Sequence, residues 1–169
     1  MATNTPSKHY DIKKIIGYFY DTNTADRKDE NPDPLINTWQ DPISNMKMMA
    51  MLYLAQSICL KEFDTQLFDD DFIVGEYGPV IPSLLREGYV SPLFNYSTNS
   101  EWYNWLEDKD VRAICQEVYR QTKNFSALGI LNTIKDTPAF KELSKGQTIP
   151  NETIGQIDWW LIRQKSISS

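Results

Sequence analysis

The segment from Pro42 to Phe63, PISNMKMMAMLYLAQSICLKEF, constrains the fold more than any other part of the chain. Apolar residues fall almost all round a helix drawn through it: Met46, Met48, Met49, Met51, Leu52, Tyr53, Leu54, Ala55, Ile58 and Cys59. A surface helix keeps a polar face, so a helix without one must be covered on several sides. The spacing therefore predicts a central helix over about 42–63 with the rest of the chain wrapped round it. Four methionines sit in this helix, and their unbranched thioethers suit irregular gaps in a core. A helix cap is available at Asp41 before Pro42, or at Ser44 before Asn45.

Other segments carry weaker signals of the same kind. Ile12, Ile15, Ile16, Phe19 and Tyr20 recur at helical spacing. They predict a first helix capped by Ser7 and ending near Asp21. Residues 21–42, rich in Asp, Asn and Pro, show no period and read as a surface loop. Phe72, Val74 and Glu76 alternate with Ile73 and Tyr77, which predicts one small β element near 72–77, followed by a Gly78-Pro79 turn. A short helix should run from Val80 or Pro82 to Arg86 and end at Gly88. A further loop over 89–100 leads to an aromatic-rich turn or two of helix at Glu101–Glu107. Val111, Ile114, Cys115, Val118 and Tyr119 give a clear amphipathic helix. Ser126 can cap the next helix, to about Lys135, and Thr137-Pro138 begins a short one. Asn151 is the expected cap of a last helix holding Ile154, Ile157, Trp160 and Leu161. The sum is a mainly α domain spanning 1–169, with no internal repeat.

A chain of 169 residues can bury about 70% of its surface and needs neither metal nor disulfide staple to fold. Cys59 and Cys115 lie inside apolar patterns and read as buried thiols, with a single bridge as the alternative. No stretch is apolar enough for a membrane span and the N-terminus lacks a secretory run, so a cytoplasmic protein is expected. The net charge is −6, and it is uneven. Residues 1–107 carry 8 basic and 16 acidic groups, whereas residues 108–169 carry 9 and 7. An acidic front half argues against nucleic acid, whose phosphates call for Lys and Arg. It would tolerate and could steer a basic protein partner, with a solvated acidic surface that keeps the protein soluble as the rival reading. The helix bearing Arg112, Gln116, Arg120, Gln121 and Lys123 reads as an ordinary solvated face, with DNA reading as its rival.

The inventory of reactive groups is short. His9 is the lone histidine, so a Ser or Cys nucleophile has no evident base, and no nucleophile elbow or phosphate-cradling glycine motif occurs. Asp69-Asp70-Asp71 lacks the alternating spacing and central Gly of a calcium loop and reads as the decoration of a turn or a charge at a helix N-terminus. No enzyme, no metal and no cofactor are expected.

Two stretches and the distance between them resemble a known family. SNMKMMAMLYLAQ is similar to the S/T-N-x-K-[LM]-x-K-L-L-Y-x-A-Q run of the Panacea (SocA-like) antitoxin domain. LFDDDFIVGEYGPVIPSL resembles that family's L-F-x-[DE]-x-F-x-A-W-x-Y-G-P-V-x-P stretch, and FSALGIL resembles the segment leading to its Thr-His step. Lys47, Leu52, Tyr53 and Gln56 match the first run. Phe68, Asp71, Phe72, Tyr77, Gly78, Pro79, Val80 and Pro82 match the second, and Thr133 matches the Thr. The departures are Ala50 for the second Lys, Val74-Gly75 for Ala-Trp, Ile134 for the His, and Phe140 for a later Trp. The resemblance implies a small helical protein of prophages and toxin–antitoxin pairs that neutralises a toxin by direct contact. An adaptor or phage-borne inhibitor binding a host protease or defence complex is the alternative. Tyr96, Trp102, Tyr103 and Trp105 are the candidate partner-binding residues, with a lid on the core as the rival reading of that segment.

Overall fold

The computed structural model describes residues 8, 10–30, 43–87, 106 and 108–157. Among these are seven helices, one of them buried among the others, and a single two-stranded sheet. The elements in chain order are α1 (Ile12–Glu30), α2 (Asn45–Phe63), β1 (Ile73–Val74), β2 (Pro79–Val80), α3 (Pro82–Glu87), α4 (Lys109–Thr122), α5 (Ala127–Lys135), α6 (Pro138–Lys141) and α7 (Asn151–Ile154). The mainly α fold with one small β element is what the hydrophobic pattern predicts.

Helix α2 is the hub. Every residue from Met48 through Ser57 is buried, and Cys59 with them. The helix packs against α1, α4, α5, α7 and β2, so each of its faces meets a different neighbour. Of the two possible caps the structure uses Ser44, whose Oγ accepts the Lys47 backbone N–H at 3.1 Å. The helix ends at Asp64 in the left-handed conformation, φ 53° and ψ 38°. Short polar side chains tolerate that region better than bulky ones.

Helix α1 is longer than its apolar pattern. Ile12, Ile15, Ile16, Phe19 and Tyr20 are buried as expected, but the helix passes Asp21 and continues to Glu30. The apolar period ends at Tyr20, yet the backbone stays helical to Glu30. Extending a nucleated helix costs little, and the first residue that forbids it is Pro32. The loop expected over 21–42 is thus helical in its first ten residues, and 31–42 lie outside the described residues. Ser7 also lies outside them. Asp11 acts at this helix end, its Oδ1 accepting the Lys13 N–H at 3.0 Å.

The β element is a hairpin. Ile73 pairs with Val80 and Val74 with Pro79, and the Gly75 N–H donates to the Gly78 carbonyl at 2.8 Å across the turn. Glu76 and Tyr77, expected in the extended piece, occupy that turn. A third extended run lies along the other edge of β1. Ile73 bridges Thr148, and Ile149 N–H donates to Phe72 O at 2.8 Å.

The amphipathic helix α4 buries Val111, Ile114, Cys115, Val118 and Tyr119, the residues its period selects. Ser126 caps α5 through the Gly129 N–H at 3.1 Å, and Thr137-Pro138 opens α6. Asn151 is a correction. Pro150 holds the cap position of α7, and Asn151 is the first helical residue. Its Oδ1 instead accepts from Gln66 Nε2 at 3.4 Å, tying α7 to the segment after α2. Ile154 and Ile157 are buried, whereas Trp160 and Leu161 lie outside the described residues.

Candidate functional site

The motif-matching residues divide sharply into those that hold the fold and those that face solvent. Gln56 is the clearest structural member. It is 1% exposed, donates from Nε2 to Phe68 O at 3.2 Å and accepts the Leu67 N–H on Oε1 at 2.7 Å. One amide therefore satisfies both backbone groups of an irregular segment that would otherwise be buried without partners. Tyr53 stands edge-on to Phe72, with ring centroids 5.2 Å apart, and to Phe140 at 6.4 Å. Phe68 lies 6.0 Å from Phe72. Burial pushes the Tyr53 phenol up, and its hydroxyl has no hydrogen-bond partner among the described residues. Leu52 is fully buried. Lys47 reaches across to the end of α4, its Nζ donating to Lys123 O at 3.4 Å.

The hairpin motif has the same logic. Pro79 is buried and Pro82 starts α3, where its missing N–H costs nothing. Val80 fills the register against Ile73. Gly78 has φ +150°, and a Cβ placed there would lie 2.7 Å from Leu131 Cδ2. Only glycine lets the turn sit this close to α5. Thr133 turns its hydroxyl back onto Gly129 O at 3.1 Å. Ile134, where the family pattern has His, is fully buried, and so is Ala50 at the second Lys position. Both departures put apolar side chains into the core.

Two motif members remain at the surface. Asp71 is exposed, and Tyr77 at the hairpin tip is 57% exposed. Nothing in its spacing distinguishes Tyr77 from the buried aromatics around it, and the tertiary placement alone singles it out. Tyr96, Trp102, Tyr103 and Trp105 lie outside the described residues, as do the other three tryptophans. The structure therefore brings none of the four proposed contact aromatics to a described place.

The other constellations have local explanations. Asp70 accepts from Ser83 Oγ at 3.2 Å at the start of α3, which fits the helix-terminus reading of the Asp triplet. A cavity of about 260 Å³ opens beside it, lined by Tyr10, Asp11, Lys13, Asp69, Asp70 and Ser83 among others. Among the described residues no group of three or more His, Cys, Asp or Glu is placed to hold a metal ion. Cys59 and Cys115 are free, buried thiols. Burial pushes Cys59 up to about 11 and Cys115 higher still, which opposes the thiolate a nucleophile needs. The polar side of α4 is engaged internally. Arg112 donates to Leu106 O at 2.6 and 3.1 Å, and Arg120 forks onto Glu117 at 2.6 and 3.1 Å. Gln121 is buried.

Lys8 forms a contact that the sequence does not suggest. Its Nζ lies 3.3 Å from Asp108 and 3.5 Å from Asp110, and 5.4 Å from the Phe63 ring centroid. Burial pulls the ammonium pKa down, but the hydrogen bond to Asp108 and the two carboxylate charges outweigh it and leave it raised. Asp108 also caps α4, accepting the Asp110 and Val111 N–H groups at 2.8 and 3.3 Å. No helix among the described residues is long and apolar enough to cross a membrane.

Comparison with known proteins gives one result. The family described as "Antitoxin SocA-like, Panacea domain" matches residues 48–155, from the first turn of α2 to just past α7. No curated protein and no solved structure matches the chain. The match covers most of the chain and includes the hub helix, the hairpin and α4 to α7, so this chain belongs to the SocA-like antitoxin (Panacea domain) family.

Proposed function

We propose that this protein is an antitoxin that neutralises a partner toxin by direct protein–protein contact. Membership of an antitoxin-like family is the observation that carries the reading. The division of the motif supports it. Most matching positions stabilise the scaffold, which is what a binding protein requires of residues that do not touch its partner. Neutralisation then needs only a surface that buries part of the toxin. A specific interface of about 1,600 Å² anchored by a few aromatic residues is sufficient. The segment carrying Tyr96, Trp102, Tyr103 and Trp105 is one proposed source of such anchors. In this reading the partner is a protein, the site of action is the cytoplasm, and the chain turns over no substrate.

The test is co-expression with the product of the neighbouring reading frame. The expected result is that this product alone arrests growth, that this protein restores it, and that the two co-elute at a fixed stoichiometry. Arrest that this protein fails to relieve, or relief without association, defeats the proposal. Relief that depends on a host protease, with loss of the toxin from the cell, supports instead an adaptor that delivers its partner for degradation.

A further inference from the structure

Helix α4 gathers its cations on one side. Lys109, Arg112, Gln116 and Arg120 follow one another at helical steps of three and four residues, and Lys123 continues the row at the cap, in helical geometry. All five are exposed. They share about a third of the helix circumference, and no carboxylate of α4 falls within it. Asp110 and Glu117, the acidic residues of this helix, are half-buried along one border of that face. Gln121, which lies among the basic residues in sequence, is buried on the other side. The result is a basic ridge about 21 Å long on a single rigid element.

The charge of the ridge survives its internal contacts. Arg112 donates to the Leu106 carbonyl, a neutral acceptor. Neither Lys109 nor Arg112 has a carboxylate partner among the described residues. Asp110 lies 3.5 Å from Lys8, so a cation from outside the helix already offsets it. Lys47 arrives from α2, its Nζ 3.4 Å from Lys123 O, and adds positive charge at the far end. Arg120 holds Glu117 in a two-bond fork at 2.6 and 3.1 Å, the geometry by which a guanidinium recognises a carboxylate.

This ridge is set in a chain of net charge −6, so the rest of the molecule is more acidic than the total shows. That setting discriminates between anionic partners. A nucleic-acid duplex carries a charge about every 1.7 Å over its whole length, and beyond the ridge its phosphates would meet the acidic remainder within a Debye length of about 8–10 Å. A polypeptide can confine its carboxylates to the ridge. We infer that the exposed face of α4 docks an acidic segment of a protein partner, with carboxylates set against Lys109, Arg112, Arg120 and Lys123. This rests on the antitoxin reading and deepens it by naming the chemistry of the toxin's face, yet the ridge can be tested without a toxin.

The probe is a fluorescein-labelled peptide of about sixteen glutamates, long enough to span the ridge, titrated into the full-length protein and followed by anisotropy. The ridge variant is Lys109→Glu/Gln116→Glu. Its counterpart is Lys145→Glu, an exposed charge reversal in the turn bonded to β1, outside α4. The expected result is binding that weakens at least tenfold in the ridge variant, changes less than twofold in Lys145→Glu, and falls steeply with added salt. No binding, or equal weakening in both variants, would overturn the inference. Tighter binding of a DNA duplex of equal charge would assign the ridge to nucleic acid instead. Self-association in sedimentation that salt and the ridge variant both abolish would assign it to a second copy of the chain. Both substituted residues are exposed, so circular dichroism and melting temperature should match wild type. Should the double variant lose its fold, Gln116→Glu alone decides, since both residues are good helix formers. Undiminished growth relief by the ridge variant would refute this surface and leave the antitoxin reading standing. Failure of the wild-type protein to relieve growth would refute that reading, while the peptide titration still judges the ridge.

Discussion

Gln56 shows what a single buried polar group contributes. Gln56→Leu fills similar space but strips the Leu67 N–H and the Phe68 carbonyl of their partner. Each orphaned group costs about 1–3 kcal/mol, so the variant should lose roughly 3 kcal/mol in a urea titration. Gly78→Ala should cost about 2 kcal/mol, because the new Cβ meets Leu131 and φ there is positive. If Gly78→Ala melts like wild type, the close approach of the hairpin to α5 is wrong. Asp21 acts through pH. Burial pushes its carboxyl from the ordinary 3.8 up to about 6, and its Oδ2 has no partner among the described residues. The folded state then binds the proton more tightly than the unfolded state. The contribution of Asp21 is therefore full below pH 3.8 and is lost as pH rises through about 6. Asp21→Asn should leave stability unchanged near pH 3 and raise the melting temperature by a few degrees at pH 8.

At the scale of elements, legibility in the sequence followed the kind of force that makes each one. The helix α4 and the cap at Ser126 were readable because both are local: a period of apolar residues, and a hydroxyl three residues before an N–H. Ser126→Ala should therefore cost about 1 kcal/mol, measured by chemical denaturation. The length of α1 was not readable from hydrophobicity, since the sequence after Tyr20 carries no apolar period although the backbone stays helical to Glu30. Asn151 failed as a cap for a different reason. Its amide is taken by Gln66, eighty-five residues away, and no local rule sees that partner. The Lys8 contact with Asp108 and Asp110 is equally non-local. All three side chains are partly exposed, so Lys8→Met should lose no more than about 1 kcal/mol, and less in high salt.

For the whole molecule, the arrangement round α2 predicts that the core opens as a unit. Cys59 on α2 and Cys115 on α4 are both fully buried and far from thiolate-forming conditions. A thiol reagent should label neither in native buffer and both on addition of urea, with labelling tracking loss of the far-ultraviolet signal. Rapid labelling of Cys59 under native conditions would show that the segment carrying Lys8 detaches on its own. The cluster of Tyr53, Phe72 and Phe140 joins three distant parts of the chain into that unit.

The mainly helical class, the identity of the central helix, the buried thiols and the family are legible in the order of residues alone. Each follows from a pattern the chain displays within a few neighbouring residues: an apolar circumference, a period, a cap or a motif. Tertiary structure alone decided which motif residues are scaffold and which face water. Tyr53 and Tyr77 are both motif tyrosines, yet one is sealed between phenylalanines and the other stands on a turn propped against Leu131. That difference is made by contacts between segments far apart in the chain, and burial is a property of the packed whole.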